Sequence, residues 1–181
     1  MRDMDSINRN QPEHNREDVS GRGAIDRIKK VVDKNSVCFF VTRNGTGPSS
    51  GARPMSVRKV DEQGRLYFLS ANDSHTNQEL LADGNVRLFF QGSGRSDFME
   101  LIGSASISTD KQMIDELWNP LIKTWFTGGV DDPRITVLTF VAREGYYWDN
   151  KHGDAIAGIK MVIGAAIGTT MDDSIEGTLK V

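Results

Sequence analysis

The sequence lacks several features that whole classes of protein require. Cys38 is its single cysteine, so no disulfide can form within the chain. Its longest apolar stretch, residues 161–167, is too short to span a bilayer, and the polar first residues lack the apolar stretch of a secretory signal. A net charge of -3 gives no broad basic surface for nucleic acid. These absences predict a cytoplasmic protein with no nucleic-acid or membrane partner.

The chain also lacks the signatures of common nucleotide, metal and hydrolase sites. Gly92-Ser93-Gly94 joins two predicted strands, whereas a Rossmann fingerprint leads from a strand into a helix. The three histidines lie far apart without metal-ligand spacing, and no Gly-x-Ser-x-Gly elbow is present. We therefore predict no metal site, and no side chain stands out as a catalytic acid, base or nucleophile.

The length and the hydrophobic pattern predict one domain, residues 21–181, behind a polar and disordered leader, residues 1–20. Apolar residues recur at helical spacing over residues 24–34. About six β-rich segments follow, joined by short turns and interrupted by short helices. Short turns favour antiparallel pairing, so the predicted fold is mainly β with peripheral helices, a closed or nearly closed antiparallel barrel of about six strands.

Three local predictions concern the second half of the chain. Thr109 and Gln112 fit a capping box at the start of a helix. The last long strand pair is predicted over residues 134–143 and 145–149, with a turn between them. Residues 155–167, rich in small side chains, are typical of one more helix.

Two segments together could bind a phosphate group. Arg53 opens the second predicted strand, and Ser74 precedes a predicted helix that begins at His75. A helix N-terminus offers free N–H groups to an anion, and an arginine adds a bidentate donor. The alternative is that Arg53 forms a surface ion pair and Ser74 only caps its helix. The residues alone leave both interpretations open.

An ordered series of motifs over residues 22–167 resembles the FMN-binding split-barrel proteins related to pyridoxamine 5'-phosphate oxidase, and among them the bacterial general-stress-protein group. The motifs are Ala52-Arg53-Pro54-Met55, residues 70–80, Asp115-Glu116-Leu117-Trp118-Asn119-Pro120, Trp125-Phe126-Thr127-Gly128-Gly129, Asp131-Asp132-Pro133 and Tyr147-Trp148-Asp149. The resemblance implies a six-stranded split barrel and a homodimer with two FMN molecules in the groove between its subunits.

The resemblance also implies roles at the phosphate end of FMN. Arg53 would face the phosphate or the ribityl chain, and Ser70, Ala71 and Ser74 would lie along the phosphate. Members of the family often carry a lysine where this chain has Thr76. A hydroxyl donates one hydrogen bond but cancels no charge, so we expect weaker FMN binding, FAD or another flavin in its place, or a different ligand.

At the flavin ring, the resemblance implies contacts from Pro54, Met55, Phe90 and Gln91. Trp118 and Trp125 would come from the partner subunit, with plain packing inside a helical insert as an equal alternative. True pyridoxamine phosphate oxidases hold their substrate with a basic, arginine-bearing C-terminal segment, and this chain has no arginine after Arg143. Oxidation of vitamin B6 is therefore not expected.

These expectations favour a stress-related, FMN-dependent oxidoreductase, similar to a flavin reductase, that uses a small-molecule electron donor or acceptor. Two alternatives stay open. One is a flavin-binding module that stores or senses the cofactor without turnover. The other is a dimeric split barrel without bound flavin, and haem or deazaflavin in the same groove is a further possibility.

Overall fold

The computed structural model describes residues 14–45, 51–94, 96–151 and 173–181. Their helices and strands are, in chain order, β1 (Val19–Ser20), α1 (Arg22–Lys34), β2 (Val37–Thr42), β3 (Ala52–Ser56), β4 (Lys59–Val60), β5 (Leu66–Ala71), α2 (His75–Ala82), β6 (Asn85–Gln91), β7 (Phe98–Ser108), α3 (Lys111–Leu117), two 3-10 helices (Pro120–Thr124 and Gly129–Asp131), β8 (Ile135–Asn150) and β9 (Ser174–Lys180).

The nine described strands belong to one sheet. Its main path runs β1-β9-β8-β7-β6-β2-β3, while β5 pairs with both β4 and β8. Every ladder is antiparallel except the one between β1 and β9. Strand β7 pairs with one edge of β8. The other edge of β8 is shared by two strands: β5 pairs with residues 135–140 of β8, and β9 pairs with residues 144–150.

A bend between β3 and β4 turns this sheet into a barrel. The Val57 amide donates to the carbonyl of Ser36, beside β2, whereas the next amide, that of Arg58, donates to Tyr67 on β5. The edge that starts on β2 therefore continues onto β5, and β5 leads back to β8. The result is a split barrel built from β8, β7, β6, β2, β3 with β4, and β5, as the sequence predicted.

Alternating side chains fill the barrel with aromatic and branched residues. On β2 the pattern places Cys38 and Phe40 inside and Phe39 outside. The rings of Phe40 and Phe68 meet edge to face, with centroids 5.3 Å apart. Cys38 is a buried core residue, and burial raises the pKa of its thiol to about 12, so it stays protonated at neutral pH.

The segment between β7 and β8, residues 109–134, forms an insert with a small apolar core of its own. Its buried residues pack against β5 and β8, and they are Ile114, Leu117, Ile122 and Phe126. The predicted capping box is wrong by one position: Asp110 is the cap, and its Oδ1 accepts from the amides of Gln112 and Met113 at 3.0 and 3.3 Å. Its short carboxylate reaches both free amides, which leaves Thr109 outside the helix.

The turn predicted between two last strands is also absent, since β8 is one strand of sixteen residues. Gly145 directly follows the expected turn, as the first residue of the second predicted strand. A Cβ at this position would come within 2.3 Å of the carbonyl oxygen of Glu100, so glycine here permits close approach of β7. The neighbouring ladder is shifted between Ile102 and Gly103, which marks a β-bulge.

The part of the predicted leader that the structure describes joins the sheet. The Glu17 amide donates to the carbonyl of Glu176, and Val19 pairs with Leu179. At the other end of the described chain, β9 (Ser174–Lys180) is the strand that this segment joins. The helix predicted over residues 155–167 lies outside the described residues. Among the helices that are described, none has the length and apolar character to cross a membrane.

Candidate functional site

A groove of about 700 Å³ lies between the β3–β5 side of the barrel and the insert. Most of its lining is apolar, which is typical of small-molecule sites, as is its size. The residues that line it are Val37, Pro54, Met55, Ser56, Arg58, Leu69, Ser70, Ala71, Asn119, Leu121, Ile122, Trp125 and Phe126. These residues include no carboxylate, histidine, lysine, tyrosine or thiol.

A chain of hydrogen bonds fixes the polar end of the groove. The Ser70 hydroxyl lies 3.1 Å from that of Ser74, which caps α2 by accepting from the Asn77 amide at 3.2 Å. The Asn77 side chain donates to Thr136 Oγ1, which in turn donates to the Ser70 carbonyl, both at 2.9 Å. The start of α2 is therefore joined to β5 and β8, and Ser70 is held at the groove wall.

Arg53 lies one residue beyond this lining and forms an ion pair inside the protein. Its two Nη atoms meet the two carboxylate oxygens of Glu79, each at 2.7 Å. The Glu79 side chain is fully buried, and 18% of the Arg53 side chain is exposed. Thr42 Oγ1 also donates to Glu79, and Arg53 donates to the Gly51 carbonyl at 3.2 Å. The predicted phosphate ligand thus has a bidentate partner, closer to the ion-pair alternative.

Arg58 is the one cation among the described residues that line the groove. It follows the bend between β3 and β4, and its Nε donates to the Leu117 carbonyl at 3.4 Å. None of the salt bridges among the described residues involves it. Its positive charge is therefore balanced by no carboxylate in this part of the chain, in contrast to the charge of Arg53.

The insert supplies the opposite wall, and one ion pair secures it. Asp132 accepts from the Gly128 amide at 3.3 Å and from Arg134 at 2.8 Å, and Arg134 also donates to the Trp125 carbonyl at 3.5 Å. The bonds from Arg134 lower the pKa of Asp132 to about 2. Trp125 is left 71% exposed beside buried Phe126, so its ring is available to a ligand or a partner.

The groove brings together five of the predicted site residues, namely Pro54, Met55, Ser70, Ala71 and Trp125. Ser74 is not a lining residue, but its hydroxyl contacts that of Ser70, which is. Thr76 is buried in the first turn of α2, and Phe90 points into the barrel core. Gln91 is exposed at the end of β6, and Trp118 packs against the core of the insert. These last four residues do not line the groove.

Sequence reasoning missed several groove residues, including Ser56, Arg58, Asn119 and Leu121. A signal for two of them was present, because Pro54 and Ser56 lie two residues apart on β3 and Arg58 continues the same spacing just beyond the end of that strand. No local signal pointed to Glu79, whose partner lies 26 positions earlier in the chain.

An apolar sheet face lies beside the groove on the outside of the barrel. It is formed by Val37, Phe39, Phe89, Phe98 and Trp148, each between 37% and 57% exposed. Phe39 is paired with Phe89 across β2 and β6, and Phe98 with Trp148 across β7 and β8. Val37 belongs to both the face and the groove, so the two surfaces are continuous.

Comparison with known proteins places these features in one family. A family model described as "Pyridoxamine 5'-phosphate oxidase like" matches residues 23–172. Protein bli-3 of Neurospora crassa is 26% identical over 123 residues, which cover 63% of this chain and 59% of that protein. The match thus spans about three fifths of this curated relative.

Two crystal structures show the same fold. One, named as general stress protein 26 from Jannaschia sp. CCS1, has a TM-score of 0.70 and 23% identity, and the match covers 87% of this chain and 95% of that one. The other, a general stress FMN/FAD binding protein from Xanthomonas citri, has a TM-score of 0.57 and 25% identity, with 67% and 85% covered.

Proposed function

This chain belongs to the pyridoxamine 5'-phosphate oxidase-like family, and on that premise we propose that it is an FMN-binding flavoprotein, a flavin-dependent oxidoreductase of the flavin reductase type. The observation that carries the proposal is the groove, whose size and lining suit a flat aromatic ligand with one polar end. The Xanthomonas citri protein with the same fold is named for binding FMN or FAD, which supports a flavin.

The side chains that line the groove are of the chemical types that a flavin-binding site needs. Met55, Leu121 and Trp125 offer apolar and aromatic surface for the ring, and the Ser70 hydroxyl and the Arg58 guanidinium offer hydrogen bonds. A bound flavin would supply the electron or hydride transfer. The protein would bind and orient it, exclude water from one side, and admit a small-molecule electron donor or acceptor. A stress-related role and the cytoplasmic setting favoured by the lone cysteine belong to this proposal.

A second candidate function is flavin storage or sensing without turnover. It is favoured by the composition of the groove, where arginine is the only ionisable side chain among the described lining residues. A flavin held there would find no side chain among these described lining residues able to donate or accept a proton near neutral pH. Steady oxidation of NADH or NADPH by the purified protein distinguishes the two candidates, because storage gives none.

We further propose that two copies associate through the apolar sheet face. Exposed aromatic patches of this kind on a soluble protein mark interaction surfaces. Because the face continues into the groove, a second copy seated there would also cover the flavin. Light scattering should give twice the mass of the 20.1 kDa chain, and Phe39→Asp should give a monomer. An exposed control, Leu81→Asp on α2, should leave the dimer intact.

The cofactor proposal is tested by its chromophore. The purified protein should be yellow, and denaturation should release FMN that mass spectrometry identifies. If FAD, haem or deazaflavin is released instead, that molecule replaces FMN as the proposed cofactor. A colourless protein that also fails to bind added FMN or FAD would overturn it.

A further inference from the structure

The positive charge of Arg53 is cancelled within the protein before any ligand arrives. Glu79 meets the guanidinium through both carboxylate oxygens and is itself fully buried. Thr42 adds a hydrogen bond to the same carboxylate. A buried carboxylate that paired with no cation would be costly, so this pair is expected to persist when a ligand binds.

Of two other described arginines beside the groove, one is balanced by a carboxylate and the other lies farther along the sheet edge. Arg134, whose carbonyl accepts from the Asn72 amide, pairs with Asp132. Arg58 lies five residues after Arg53 on the same edge, up to about 17 Å along a strand. The formal charges of Arg53 and Glu79 sum to zero. At this end of the groove, the described residues therefore offer hydrogen bonds to a phosphate dianion but little net positive charge.

We propose that Glu79 is a specificity-determining residue that makes the site nearly indifferent to the phosphate of its flavin. This inference rests on the proposed function. The protein would recognise the ring and the ribityl chain and bind riboflavin about as tightly as FMN. Glu79 acts through Arg53, so it is a positioning residue that sets the charge at the phosphate end.

Position 76 offers an independent way to change the same charge. Thr76 lies three residues before Glu79 on α2, so the two side chains share a face of the helix. A lysine at this position would meet the same carboxylate as Arg53 and raise the sum of charges from zero to one. Replacing Glu79 with glutamine would raise it by the same amount while keeping the side-chain shape.

The experiment measures the affinities of FMN and riboflavin for flavin-free protein by calorimetric titration. The wild-type affinities should agree within about threefold, and FMN binding should weaken little between low and high salt, because screening acts on net charge. Glu79→Gln and Thr76→Lys should each raise the preference for FMN roughly tenfold. Glu176→Gln is the matched control, since it removes a buried carboxylate on β9 outside the groove, and it should change neither affinity.

The outcomes separate the inference from the proposed function. If the wild type prefers FMN by about tenfold or more, or loses such a preference in high salt, Glu79 does not neutralise the site and the inference is wrong while flavin binding stands. Both wild-type measurements decide this even if neither variant folds. If folded variants leave the preference unchanged, the inference is likewise overturned. If the wild type binds neither flavin, the proposed function itself fails.

Discussion

Two arginines on the edge formed by β3 and β4, Arg53 and Arg58, have different surroundings. Arg53 forms a bidentate pair with buried Glu79, and Arg58 donates one long hydrogen bond to a carbonyl and lines the groove. The difference arises because α2 brings a carboxylate to the first arginine, while the bend at Val57 turns the second toward the insert. An arginine within the motif expected to bind the phosphate can thus pair with a buried carboxylate, and one outside the motif can line the groove.

The largest expected difference between the two arginines is in stability. Arg53→Ala should lower the free energy of unfolding by about 3 kcal/mol, because it leaves the Glu79 carboxylate buried and unpaired. Arg58→Ala should cost less than about 1 kcal/mol. Urea denaturation measures both. The double variant Arg53→Met/Glu79→Leu should regain most of the loss, and equal destabilisation by the two alanine variants would contradict the comparison.

Two neighbouring aromatic residues extend the comparison to the insert. Phe126 is buried, so Phe126→Ala should cost about 3 kcal/mol of stability. Trp125 is mostly exposed, so Trp125→Ala should leave stability nearly unchanged and weaken flavin binding about tenfold, the effect of one lost aromatic contact. Thermal melts and flavin titrations on both variants provide the measurement. A stable Phe126→Ala variant would show that the insert is not anchored by its own core.

A smaller effect is expected from the uncompensated arginine. Arg58→Gln should weaken FMN and riboflavin equally, about fivefold, because one hydrogen bond to the ring contributes about 1 kcal/mol and the phosphate is remote. The same titrations as above give the two affinities. A loss confined to FMN would place the phosphate beside Arg58 and reverse the orientation of the ligand.

The smallest expected effect is a local response to acid. The pKa of Asp132 is lowered from 3.8 to about 2 by its bonds from Arg134. Its ionised form therefore stabilises the insert above pH 3.8, and this contribution is lost as the pH falls toward 2. Tryptophan fluorescence in a Trp148→Phe background should report loosening of the insert in that interval. Asp132→Asn should abolish this pH-dependent fluorescence change. A change that persists in the variant would have another origin than Asp132.

Most of the fold could be predicted because its signals are local. The helix beginning at His75 and its Ser74 cap are encoded within a few residues, and the strand character of β6 (Asn85–Gln91) is visible in the alternation of its own side chains. The continuity of β8 could not be predicted. Gly145 has the local signature of a turn, and its real role depends on the carbonyl of Glu100, which is distant in sequence.

The site was predictable in part for the same reason. Motif residues such as Met55 and Ser70 lie in the groove because the strands that carry them are defined locally. The alternation of β6 already places Phe90 on the buried face with Val86 and Leu88, but the environment of Arg53 depends on where α2 packs. Such tertiary relations decide whether a polar or aromatic residue meets a ligand, and a single sequence does not display them.

The parallel ladder between β1 and β9 has a consequence for synthesis of the protein. Val19 pairs with Leu179, so the early segment has no strand partner until about 160 further residues have left the ribosome. Closure of the barrel waits as well, because β5 needs β8 and the two are separated by more than 60 residues. Contacts so distant in sequence slow folding. The nascent chain must therefore keep the aromatic side chains of β2 and β5 from aggregating for most of its translation, a period in which chaperone binding would be most useful.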